Sequence, residues 1–127
     1  MTTKILVADD EPNILISLEY LMKREGYEVH VARDGLQALE MLRRERPALV
    51  LLDVMMPGKS GFEVCQELRG DEALRGTRVL MLTAKGRDTD VAKGMAMGAD
   101  AYVTKPFSTS ELVERVRALL QAPARQA

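Results

Sequence analysis

Five side chains able to handle charged oxygen stand apart in this sequence: the adjacent Asp9 and Asp10, then Asp53, Thr83 and Lys105. Brought together, they suit metal-assisted phosphoryl transfer. Mg²⁺ usually takes one or two protein carboxylates and keeps waters and a phosphate oxygen in its octahedral shell, and Asp10 with Asp53 supplies that pair. An ionised aspartate can attack phosphorus to give an aspartyl phosphate while a metal and a lysine neutralise charge on the transferred oxygens. Lys105 and Thr83 fit the oxygens that remain. Singly, each residue has a plainer use. Aspartate and threonine cap helices and bracket turns; Asp10, close before Pro12, could cap a helix, and Lys105 could be a solvated loop lysine before Pro106.

Electrostatics weighs between the two uses. Carboxylates about 5 Å apart repel by roughly 3 kcal/mol per pair at an effective dielectric near 20. A domain is stable by only about 5–15 kcal/mol, so a crowded triad of acids is a liability unless the chemistry needs it.

The elements that must position these residues follow from hydrophobic periodicity. Short apolar, β-branched runs at 5–8, 27–32, 48–52, 78–82 and 99–103 read as strands. Between them, apolar residues recur at helical spacing: Ile14, Leu15, Leu18, Leu21 and Met22; Leu36, Leu39 and Leu42; Phe62, Val64, Cys65 and Leu68. A fourth helix is expected over 88–97, stopped by Gly98, and a fifth begins with Ser108 and Glu111 at capping-box spacing. Strict alternation predicts an α/β fold with a five-stranded parallel sheet covered by helices on both faces. Ligands of such sheets bind beyond the carboxyl ends of the strands, where strand order reverses. The acids, Thr83 and Lys105 all fall at strand ends of that kind.

Composition sets the outer bounds. The chain has 127 residues, 46% apolar and 29% charged, with formal charge −1, which fits one self-sufficient domain and lacks the basic excess of a nucleic-acid binder. Its single cysteine, Cys65, has no internal disulfide partner, and the apolar runs are too short to span a bilayer. The N-terminus lacks a signal-peptide layout, so a cytoplasmic location is expected. The domain is expected over 1–121, with a loose tail at 122–127.

Beyond spacing, the landmarks Asp9-Asp10, Asp53-Val54-Met55-Met56-Pro57 with Gly61, Thr83-Ala84 and Tyr102-Val103-Thr104-Lys105-Pro106-Phe107 resemble the receiver domain of bacterial two-component response regulators. The resemblance covers essentially the whole chain. It implies a flavodoxin-like, doubly wound sheet of order 2-1-3-4-5 and a cis peptide before Pro106. Asp53 would be the phosphoacceptor, assisted by Thr83 and Lys105. Mg²⁺ would be held by Asp10, Asp53 and the Met55 backbone carbonyl, with Asp9 acting through water. Thr83 and Tyr102 would form the switch, and Met55 and Lys85 would flank the water that removes the phosphate. The resemblance further implies a histidine kinase or phosphotransfer partner, and an effector or fused output domain that reads the face of the fourth helix, fifth strand and fifth helix. The protein would be a signalling switch rather than an enzyme, catalysing only its own phosphorylation and slow dephosphorylation.

Lys93, Asp100, Glu111 and Arg115 resemble charges that pair across the dimer face of some relatives, but the acids expected near Ala96 and at Ala101 are missing. A monomer at rest, dimerising at most weakly when phosphorylated, is expected. His30 reads as a structural strand residue, Cys65 as a small buried hydrophobe, and Met41, Met81, Met95 and Met97 as packing residues. Two rival functions remain. A flavodoxin-type cofactor binder shares the topology, although Asp9 and Asp10 would repel its phosphate. A partner-binding scaffold that is never phosphorylated would lack the acids or Lys105.

Overall fold

Each strand of the sheet sends alternate side chains into two apolar layers, and this alternation decides which helices lie on which face. In β1 (Lys4–Ala8), Ile5 and Val7 join one buried cluster while Leu6 and Ala8 join the other. The computed structural model describes residues 2–84 and 87–122. After β1 come α1 (Pro12–Arg24), β2 (Glu28–Ala32), α2 (Gly35–Glu45), β3 (Leu49–Asp53) and α3 (Gly61–Gly70). A 3₁₀ turn (Glu72–Leu74), which periodicity did not signal, leads to β4 (Arg78–Ala84), α4 (Asp88–Ala96), β5 (Ala101–Lys105) and α5 (Thr109–Gln121). All pairings are parallel, in the order β2-β1-β3-β4-β5. α1 and α5 cover one face; α2, α3 and the end of α4 cover the other.

Every strand differs from the periodic reading by one or two residues at an end, β1 starting at Lys4 and β2 at Glu28, and the differences in β3, β4 and β5 bear on the site. β3 runs one residue further, to Asp53, and β4 two further, to Ala84, because Asp53↔Leu82 and Thr83↔Thr104 still pair in register. β5 starts at Ala101 instead of 99 and reaches Lys105. Its start is delayed because Asp100 is held in a polar turn. The Asp100 N–H donates to the Val79 carbonyl at 2.9 Å, and the Asp100 carboxylate accepts from Val79 N–H at 2.8 Å and from Arg69 at 2.9 Å. Asp100 is therefore engaged within the fold.

Capping residues explain where the helices begin. Ser60 and Glu63 form a reciprocal capping box on α3. On α5, Ser108 accepts from Glu111 N–H at 3.4 Å, and on α2, Asp34 accepts from Gln37 N–H at 2.8 Å. Gly98, with φ +107°, follows the C-terminus of α4, the left-handed position that favours glycine. α4 itself buries only Gly94, so its docking depends on its C-terminal end. There Arg69, on α3, donates to the Gly98 and Thr77 carbonyls at 2.9 and 2.7 Å and pairs with Asp100.

His30 and Cys65 take the structural places expected of them, the first on an edge strand and the second fully buried. Met81 is buried and Met41 and Met97 pack against the core, whereas Met95 is exposed on α4. Among the described residues, no helix is long and apolar enough to cross a membrane. Apart from Ala122, the expected tail lies outside them.

Candidate functional site

Three parallel strands and the turn after β1 converge at the carboxyl edge of the sheet. Asp9 and Asp10 follow β1 directly, Asp53 is the last residue of β3, Thr83 is the next-to-last of β4, and Lys105 is the last of β5. Ala8 pairs with Leu52 and Thr83 with Thr104, so one ladder brings positions separated by almost the whole chain to one edge. Carboxylate oxygens of Asp9, Asp10 and Asp53 lie within 4.8 Å of one another. Asp9 is fully buried, Asp53 is buried and Asp10 is exposed.

Close backbone packing holds Asp53 in place. Gly61, the first residue of α3, donates its N–H to the Val54 carbonyl at 2.9 Å, and a Cβ there would collide with the Asp53 carbonyl oxygen. Only glycine lets α3 begin so near the end of β3.

Lys105 reaches both buried acids, with its Nζ 2.7 Å from Asp9 Oδ2 and 3.3 Å from Asp53 Oδ1. Burial pushes the Asp53 carboxyl up to about 6, and the Asp9 charge adds to the rise; Lys105 and a hydrogen bond from the Met55 backbone work against it. Burial disfavours the charge on Lys105, but its bond to Asp9 and the charges of both acids outweigh this and leave its pKa raised.

These contacts remove the plainer readings of two residues. α1 has Glu11 as N-cap, without a side-chain capping bond, and the Glu11 N–H is bound by Asp9 Oδ1 at 2.9 Å; Asp10 does not cap the helix. Lys105 is no solvated loop lysine, since it is two-bonded and partly buried. Thr83 is 2% exposed, and its Oγ1 is the one buried side-chain polar atom without a hydrogen-bond partner among the described residues. Buried hydroxyls almost always have a partner, so this one marks a place where a further oxygen-bearing group would fit. Mg²⁺ fits the same place by its donors: three hard oxygen ligands, two of them buried beside a repelling neighbour, match its preference for carboxylate.

Of the remaining expected residues, Met55, two residues after Asp53, is 64% exposed and Tyr102 is 39% exposed on β5. Lys105–Pro106 is cis, as the resemblance implied. Lys85 lies outside the described residues. Two polar clusters escaped the sequence reading because their members are far apart in the chain: Arg69 with Asp100, and Lys4, Glu28, His30 and Glu45.

The chain is similar to known proteins over most of its length. A family model described as the response regulator receiver domain matches residues 5–117. A protein described as a response regulator from Chloroflexus aurantiacus is 33% identical, with a TM-score of 0.92 over 96% of this chain and 100% of that one. The chemotaxis response regulator CheY4 of Vibrio cholerae is 30% identical, with a TM-score of 0.88 over 94% of this chain and 99% of the other. NtrX from Brucella abortus, solved in complex with ATP, is 27% identical with a TM-score of 0.88, over 95% of this chain but only 27% of its own.

Proposed function

The chain belongs to the response regulator receiver domain family, a family of phosphorylation-dependent signalling switches, and from that premise we propose that Asp53 is its phosphoacceptor, in a Mg²⁺-dependent reaction with a histidine kinase or phosphotransfer protein as donor. The observation that carries this reading is the pocket itself: a buried carboxylate within 4.8 Å of two others and 3.3 Å from a lysine. Asp10, Asp53 and the Met55 carbonyl would hold Mg²⁺, with Asp9 acting through water. When bound, the ion supplies charge neutralisation on the phosphoryl oxygens and compensates the repulsion among the acids.

The chain's own groups supply the rest. Ionised Asp53 is the attacking nucleophile, and the raised pKa keeps a minor fraction protonated at neutral pH. Lys105, already against Asp53, takes a phosphoryl oxygen by a small movement of its flexible stem. The unpartnered Thr83 hydroxyl gains a hydrogen-bond acceptor when a phosphoryl group arrives, so phosphate binding and Thr83 position are coupled. Half-exposed Tyr102 on the adjacent strand can follow Thr83. The surface of α4, β5 and α5 then changes its affinity for an effector or a fused output domain. The weak anchoring of α4, through Gly94 and its C-terminal end, supports this choice of face.

The protein acts on its own aspartate and on no other substrate. It is a cytoplasmic monomer at rest, and its phosphate is lost slowly, because Met55 has no group able to orient water and Lys85 is a poor base. Incubation with acetyl phosphate and Mg²⁺ should add one phosphoryl group by intact mass, and Asp53→Asn should abolish it. Labelling that persists in the variant refutes the assignment.

A further inference from the structure

At the opposite end of the sheet, side chains from three elements meet around the chain's single histidine. Glu28 and His30 are two residues apart on edge strand β2 and so project to the same face. They pair with Lys4 and Leu6 of β1, and Leu6 belongs to the cluster packed under α2. Glu45, the last residue of α2, comes down onto that face. His30 Nε2 lies 2.8 Å from Glu28 Oε2 and 3.5 Å from Glu45 Oε1, and the three ligand atoms are all within 4.8 Å of one another.

We propose that Glu28, His30 and Glu45 form a second metal site, one that takes a borderline transition ion of the Zn²⁺ class. One imidazole and two carboxylates are a donor set for zinc; Mg²⁺ prefers oxygen alone. Zinc–nitrogen and zinc–oxygen bonds of about 2.0–2.2 Å in a tetrahedron place ligand atoms roughly 3.4 Å apart. The His30–Glu45 separation, 3.5 Å, is close to that value, Glu28 needs to withdraw from His30 by only a fraction of an ångström, and all three ligand atoms lie within 4.8 Å of one another. Water completes the coordination, because Glu28 and His30 are partly exposed, with side-chain exposures of 44% and 24%. The end of α2 adds the negative pole of its helix dipole.

The rest of the cluster defines how the site opens. Glu45 uses its two oxygens separately: Oε2 accepts from Arg44 Nε at 3.1 Å, while Oε1 faces both His30 and Lys4 Nζ, the latter at 3.3 Å. The Lys4 bond holds the Glu45 carboxyl below its ordinary range, so it is ionised at neutral pH. Lys4 thus occupies the cation position, and a metal must displace it. Its ammonium sits on a flexible, 39% exposed side chain that can swing into solvent.

This competition makes the test directional. Zn²⁺ would be titrated against a chromophoric chelator in excess Mg²⁺, using the parent, His30→Ala and Lys4→Met. One zinc per chain is expected, bound about ten-fold or more weakly in His30→Ala and more tightly in Lys4→Met. Zinc affinity that is the same in His30→Ala and the parent, or is weaker in Lys4→Met, overturns the proposal. A check on the unmutated chain needs no variant to fold. With one histidine, its imidazole resonances are unambiguous, and one equivalent of Zn²⁺ must shift them. If they stay put, the cluster is a surface ion-pair network and nothing more.

Discussion

Asp53→Asn removes one charge from a pocket that crowds three carboxylates, and its effect on stability follows from the geometry. A carboxyl whose pKa rises from the ordinary 3.8 to about 6 on folding carries a cost on the order of 3 kcal/mol at pH 7. The sign is the reverse of a paired surface acid. Between pH 3.8 and about 6 the folded protein holds more protons than the unfolded chain, so stability falls as pH rises through that window. The full cost is present above it and absent below it. Asn keeps the shape and loses the charge, so in chelated buffer at pH 7 the variant should be more stable by about 1–3 kcal/mol, or roughly 4–12 °C in Tm at this chain length. The gain should shrink toward zero near pH 4. Saturating Mg²⁺ should narrow the gap, because an ion at ten times its Kd adds about 1.4 kcal/mol to the state that binds it. Thermal melts across pH, with and without Mg²⁺, check all three. A variant that melts at or below the parent at pH 7 without metal would refute the reasoning, as would a gain that does not vary with pH.

Three further outcomes are expected, the first two from particular contacts and the third from the family resemblance. Gly61→Ala should drive a methyl into the Asp53 carbonyl, shifting the end of β3; we expect a loss of about 1–3 kcal/mol in urea unfolding together with slowed labelling by acetyl phosphate. Arg69→Met should cost about 3 kcal/mol, since the Gly98 and Thr77 carbonyls and the Asp100 carboxylate lose their shared cation, and hydrogen exchange should rise first in α4 and its following turn. Met55→Asn combined with Lys85→Glu should speed loss of phosphate in timed mass spectrometry, because both changes supply groups able to hold the attacking water. An unchanged rate would remove those side chains from control of hydrolysis.

The periodicity of the chain was enough for its alternating strands and helices, while the strand order came from the family resemblance. Apolar runs of strand length, helical spacing between them and the Gly98 stop gave the order of elements, and right-handed crossovers leave few ways to close such an alternation into a sheet. The site was legible too, because Asp9, Asp10, Asp53, Thr83 and Lys105 all fall near strand ends, and strand ends of a parallel sheet share one edge. What spacing could not give was register. Whether Asp53 and Lys105 end their strands or follow them depends on ladder partners such as Leu82 and Ala84, which are set by packing between elements. For the same reason the Asp100 turn moved β5 by two residues: its partners, Val79 and Arg69, are 21 and 31 positions away.

Local sequence determined the elements and the kinds of side chain at their ends. Tertiary structure alone decided which charges meet. It set Lys105 against Asp9 and Asp53, left the Thr83 hydroxyl buried without a partner among the described residues, held Asp100 in a polar turn and gathered Glu28, His30 and Glu45. Each of these depends on distances between residues remote in the chain, and electrostatic and hydrogen-bond energies change steeply over an ångström, a scale to which hydrophobic patterning is insensitive.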